Sequence, residues 1–171
     1  MGKSALMVAE MSLRIFLHGL ESSSQGTKSV FFNEKFPDMV IPDFEGSLQN
    51  RMLKLEEVLS GCTNISLVGS SFGGLMATLF AFKEEERVDR LILLAPALNL
   101  ISFTSFPEKE ISVPVLIYHG INDEVIPLHS VEEITSKIFR NMTFRRVDDD
   151  HSLHSTFKKI DWNKELSVRL Q

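Results

Sequence analysis

The chain has 171 residues, 43% hydrophobic and 24% charged, with a net charge of −5 from 18 basic and 23 acidic side chains. That length suits one domain burying about 70% of its unfolded surface, and the composition is that of an ordinary globular protein. The acidic balance argues against nucleic acid or membrane as partners, lone Cys62 excludes an intrachain disulfide and suits a reducing, cytoplasmic setting, and no apolar run reaches the ~18 residues of a membrane span.

Residues 1–11 read as a loosely ordered leader to a single domain spanning 1–171. Leu13-Arg14-Ile15-Phe16-Leu17 is a short apolar run of strand formers ending at His18-Gly19, a core strand buried on both faces. A Ser/Gly loop follows to Gly26. Thr27 is a helix N-cap, and residues 28–36 form a helix with Val30, Phe31 and Phe36 inward, stopped by Pro37. Residues 39–41 form a brief strand that ends at Pro42. Residues 47–60 are helical, with Leu48, Met52, Leu55 and Leu59 on one face and Gly61 closing the end.

The next strand, residues 65–68, runs into Gly69-Ser70-Ser71-Phe72-Gly73, where a helix starts at once and continues to Lys83. A G-x-S-x-G match between strand and helix is a nucleophile-elbow signal. The turn is so tight that side chains two before and two after the serine would collide. The serine is held in a strained conformation that pushes its hydroxyl outward. The helix N-terminus aims free N–H groups at the same point, where an anionic intermediate would sit.

Residues 91–95 form another apolar strand, ended by Pro96, and residues 97–112 an irregular connection. Residues 113–118 form the next strand, residues 127–138 a helix with proline in its first turn, and residues 142–147 the last strand. Asp148-Asp149-Asp150-His151 is a loop. Residues 155–168 read as a closing helix with Phe157, Ile160 and Leu166 buried. About six strands alternating with helices imply an α/β fold, a doubly wound, mostly parallel sheet with helices on both faces. Ligands bind such sheets at the C-terminal ends of the strands. Ser71, Asp123 and His151 all fall just after strands.

That order of residues, with the elbow, resembles the α/β-hydrolase fold family, in particular its compact, lidless bacterial esterase and thioesterase branch. The resemblance runs from Leu13 to about Leu166. It rests on Leu17-His18-Gly19-Leu20, which is similar to the oxyanion loop, and on the elbow. It also rests on Tyr118-His119-Gly120-Ile121-Asn122-Asp123-Glu124-Val125-Ile126-Pro127, similar to the acid loop, and on Asp150-His151-Ser152-Leu153, similar to the terminal histidine loop. The chain departs from the family in lacking room for the first two edge strands and for a large lid.

The resemblance implies Ser71 as nucleophile, His151 as general base and Asp123 as the acid orienting it. It implies oxyanion donors in the backbone N–H groups of Leu20 and Phe72; losing one such donor costs about 3–4 kcal/mol. Each role has a rival. Ser70 lacks glycines at both −2 and +2. His154 falls at the start of the last helix rather than in the loop. Asp148, Asp149 and Asp150 lie too near His151 in sequence to face it and read as a solvated loop. His18 and His119 precede glycines and shape the site. Asp43 and Glu45 lie at a strand end, where a solvated loop is the simpler account. His18, Gly19 and Leu98 are expected to touch substrate, with Leu20, Phe72 and Phe103 or Phe106 in the pocket wall. His119, Asp123, His151 and His154 match no metal-binding spacing, so no metal and no cofactor are expected.

The expected activity is serine hydrolysis of a small-molecule ester or thioester through an acyl-enzyme on Ser71. The alternatives are carbon–carbon bond hydrolysis of a dienoate, transfer of the acyl group to a nucleophile other than water, and a non-catalytic binding or signalling module.

Overall fold

The computed structural model describes residues 12–167; the leader and Val168 lie outside the described residues. Five strands form one parallel sheet: β1 (Ser12–Leu17), β2 (Thr63–Ser70), β3 (Val88–Leu94), β4 (Val115–Gly120) and β5 (Met142–Val147), in that spatial order. The sixth expected strand, at residues 39–41, is reduced to one bridge. Val40 pairs with Ile15 on the free edge of β1, donating to the Arg14 carbonyl and accepting from the Phe16 amide. Pro42, two residues on, has no N–H to continue a ladder.

That bridge sets the topology. From β1 the chain runs outward to Val40 and then returns across β1 to β2, so the winding direction reverses there. α1 (Thr27–Lys35) precedes the bridge and α2 (Leu48–Val58) follows it. They pack on opposite faces of the sheet, as reversal of the crossover requires. Leu55 of α2 joins Ile15, Leu17 and Leu67 in one core cluster. Phe32 of α1 joins Phe16, Val68 and Ile92 in the other. α3 (Phe72–Lys83) and α4 (Leu128–Ile138) share the α2 face, through Leu75, Met76 and Val131. The crevice between the C-terminal ends of β1 and β2 is the switch point of the sheet, where a ligand is expected.

Some local expectations are corrected. Gly26, not Thr27, caps α1. Phe32, not Val30, is its core anchor: Val30 is 38% exposed, while Phe32 is fully buried among Phe16, Phe157 and Trp162. The closing helix is broken into a single turn at Phe157–Lys159 and a short helix α5 (Trp162–Glu165). Ile160 is extended between them, and the Asp161 side chain starts the second piece by accepting from the Lys164 amide. Phe157, Ile160 and Leu166 are nonetheless buried, with Trp162 beside them.

Candidate active site

Three loops at the C-terminal edge of the sheet converge on one point. The first is the turn from β2 into α3. Ser71 stands there at φ 53°, ψ −114°, a conformation that side chains rarely adopt. The turn needs glycine on both sides: a Cβ at Gly69 would run into the Gly73 carbonyl, and one at Gly73 into the Leu17 carbonyl. The Ser71 amide donates to Leu94, while its carbonyl accepts from Gly74 and Ala97, so the strained residue is pinned at both ends.

The second loop follows β4. The Asp123 side chain is buried, accepts three hydrogen bonds and meets a second imidazole. Its Oδ1 takes the amides of Val125 at 2.9 Å and Ile126 at 2.7 Å. Its Oδ2 lies 2.8 Å from His151 Nδ1 and 3.3 Å from His119 Nε2. The third loop follows β5 and carries His151, whose Nε2 is 3.0 Å from Ser71 Oγ. A carboxylate only accepts, so Nδ1 of His151 carries the proton and Nε2 is left to accept from the serine hydroxyl.

His119 is buried and also faces two acceptors, Asp123 and the Ile126 carbonyl 2.9 Å away, so its proton sits on Nε2. Its Nδ1 is buried without a partner among the described residues. Burial pulls the His119 imidazole below its ordinary pKa, against the raising influence of the Ile126 carbonyl and Asp123. His18 is likewise buried. It donates through Nδ1 to the Gly19 carbonyl and accepts the Phe44 amide on Nε2.

The amides of Leu20, after β1, and Phe72, at the first position of α3, have no hydrogen-bond partner among the described residues. Gly19 brings the loop after β1 against the elbow, since a Cβ there would lie 3.6 Å from Ser71 Cβ. An open cavity of about 830 Å³ covers Ser71 and His151. Phe16, Leu153 and Phe157 form apolar wall on one side. Leu20, Leu100 and Val125 line it too and are exposed.

His18 and Gly19 line this cavity as expected, but Leu98 does not. Leu98 is fully buried in the core, because the single turn Leu98–Leu100 points it inward; Asn99 and Leu100 line the cavity in its place. Phe106 packs on Phe82 in the core rather than in the pocket wall, and the Phe103 side chain lies outside the described structure. His154 is exposed and bonded to Asp150. Asp149 is not part of a solvated loop. It is buried and accepts the amides of Asp150, Ser155 and Thr156, which fixes the loop bearing His151. Asp43 ties down the Ser24 amide and hydroxyl and does not line the cavity.

Lys28 and Arg51 escape a reading of the sequence. Lys28 lines the cavity, donates to the Ser152 carbonyl and lies over the Phe157 ring. Burial lowers its pKa, against Asp150 and Asp149. The usable signal for Arg51 was its place on the apolar face of α2, three residues after Leu48 and four before Leu55.

The model of the dienelactone hydrolase family matches residues 21–155. No curated protein sequence matches the chain significantly. Solved structures do. Alpha/beta hydrolase domain-containing protein 10 from mouse superposes with a TM-score of 0.71 at 19% identity, over 90% of each chain. Est1E from Butyrivibrio proteoclasticus, solved with ferulic acid bound, gives 0.70 at 18% identity, over 88% of this chain and 85% of that one. A monoacylglycerol lipase from Paleococcus ferrophilus gives 0.70 at 14% identity, over 91% of each. With a family model covering most of its length and the sheet of an α/β hydrolase, the chain belongs to the dienelactone hydrolase family and is a hydrolase.

Proposed function

We propose that the protein is a serine hydrolase of small-molecule esters or thioesters that works through an acyl-enzyme on Ser71. The observation that carries this reading is the unbroken chain from Ser71 Oγ to His151 Nε2, 3.0 Å, and from His151 Nδ1 to Asp123 Oδ2, 2.8 Å.

In the reaction, Ser71 Oγ attacks the carbonyl carbon as His151 Nε2 takes its proton. The carbonyl oxygen becomes an oxyanion facing the Leu20 and Phe72 amides. Collapse expels the alcohol or thiol, protonated by His151, and leaves the acyl group on Ser71. Water, activated by the same imidazole, then attacks the acyl-enzyme; the carboxylic acid leaves and the serine is restored. Asp123 holds the tautomer of His151 and stabilises the imidazolium in both halves. The Leu20, Leu100 and Val125 rim supports an apolar portion in the substrate.

The family match supports a second substrate form on the same machinery. A lactone is an internal ester, and its opening by Ser71 keeps the leaving alkoxide attached to the acyl chain.

The test is a panel of 4-nitrophenyl butyrate, an acyl thioester, a dienelactone and a dienoate against the parent protein and Ser71→Ala. Loss of a triad nucleophile lowers kcat by about 10⁴–10⁶-fold, and only the parent should be labelled by a fluorophosphonate. A Ser71→Ala protein as fast as the parent overturns the reading.

A further inference from the structure

Arg51 is out of place on α2. The helix shows the sheet an apolar face of Leu48, Met52, Leu55 and Leu59, and Arg51 lies on that face, only 4% exposed. No carboxylate pairs with its guanidinium among the described residues. A buried, unpaired cation is expensive, and water is one helix face away. What it touches explains its position.

Arg51 Nη2 donates to the Leu20 carbonyl at 3.1 Å, and Nε donates to the Gly46 carbonyl at 3.1 Å. The guanidinium carbon lies 5.3 Å from the centre of the Phe72 ring, within cation–π range. Nη1 is buried with no partner among the described residues. One side chain therefore contacts both residues whose amides are left without a partner beside Ser71, on loops from two different strands. A planar, forked donor is suited to hold a carbonyl and a ring at once; the point charge of a lysine is not.

We propose that Arg51 is the positioning residue of the oxyanion hole: it fixes the Leu20 and Phe72 amides relative to each other and places a positive charge behind them. The proposal rests on the acyl-enzyme reading of Ser71. The Leu20 carbonyl it grips belongs to the same residue as the Leu20 amide, so the grip sets the tilt of the turn that carries that donor. Because the oxyanion exists only in the tetrahedral species, the benefit falls on the chemical step and not on substrate binding.

The experiment compares the full-length parent, Ser71→Ala, Arg51→Met and Arg51→Lys with 4-nitrophenyl butyrate, and measures the rate of Ser71 labelling by a fluorophosphonate and the melting temperature. In Arg51→Met, kcat should fall about 10–100-fold, approaching the loss of one oxyanion donor, with KM held within about threefold. Labelling, which builds the same anionic centre, should slow in step. Arg51→Lys keeps the charge without the fork and should recover part of the rate. A folded Arg51→Met with parental kcat and labelling, whatever its melting temperature, overturns the proposal. If Arg51→Met does not fold, Phe72→Leu decides instead. It keeps the Phe72 amide and removes the ring, so a fall in kcat at constant KM upholds the proposal and an unchanged kcat overturns it. Should Ser71→Ala retain the parental rate, the acyl-enzyme reading itself has failed. If Ser71→Ala is inactive while Arg51→Met is not impaired, only the role of Arg51 has.

Discussion

His119 and His151 meet on the same oxygen of Asp123, one from the strand end before it and one from the loop of another strand. With two amides on its other oxygen, Asp123 has no freedom to turn. On the acyl-enzyme reading, an acid held this firmly acts by orienting His151. Asp123→Asn keeps the shape but puts a donor where the His151 proton lies. We expect kcat for 4-nitrophenyl butyrate to fall by about 10³–10⁴-fold, with the melting temperature reporting whether the fold persists.

The backbone at Ser71 stores strain. A non-glycine residue at φ 53°, ψ −114° costs about 1–3 kcal/mol, and glycine relieves most of it. Ser71→Gly should therefore abolish hydrolysis and at the same time raise the unfolding free energy in a urea titration. A Ser71→Gly protein less stable than Ser71→Ala would contradict the strain assignment.

Two buried groups make the fold weaker in acid. Burial, first of all, keeps His119 below its ordinary value of 6.5, although Ile126, Asp123 and Glu132 act to raise it and His151 to lower it further. The unfolded chain protonates this imidazole normally. As pH falls below 6.5 the unfolded state takes up a proton that the folded state does not, and stability declines. Asp149 adds a second loss. Burial alone would raise its carboxyl, but hydrogen bonds from Thr156, Asp150 and Ser155 outweigh that and hold it below 3.8. Its contribution is complete above 3.8 and disappears as pH falls through the lower folded value. Urea titrations across this range should show His119→Leu removing the upper part of the decline and Asp149→Asn the lower.

Phe32 is the keystone of the face covered by α1. Its ring lies 5.0 Å from Phe16, 5.4 Å from Phe157 and 4.8 Å from Trp162, centre to centre. Phe32→Ala should cost about 3–5 kcal/mol, read by chemical denaturation. Val30→Ala, on the exposed side of the same helix, should stay within about 0.5 kcal/mol.

The strands and the residues that converge at their ends were legible in the sequence because both are written locally. A strand buried on two faces is an unbroken apolar run, as at Ile65 to Val68, and the residues that follow such runs gather at one edge of a parallel sheet. Features decided by contacts between distant segments were not legible. Whether Val30 or Phe32 turns inward depends on where Phe157 and Trp162 lie. Residues from 155 onward have helical spacing, but Asp149 holds the Ser155 and Thr156 amides ahead of the first piece and Asp161 caps the second. Asp149 looked solvated because its three amide partners become neighbours only when the loop folds back. The place of Arg51 on the apolar face of α2 was visible, but nothing local marks the carbonyl and ring that meet it.

The parallel order of the sheet also has a meaning in time. Ser71 and His151 are separated by 80 positions, and His151 stands four residues past the end of the last strand. A chain emerging from the ribosome can form its elbow early, with β1, β2 and β3 already paired, yet the serine stays an ordinary alcohol. On the acyl-enzyme reading, it becomes a nucleophile only when β5 joins β4 on the far edge and brings the imidazole of His151 within 3.0 Å. On that reading, acquisition of activity by a refolding sample is a clock for the final edge of the sheet.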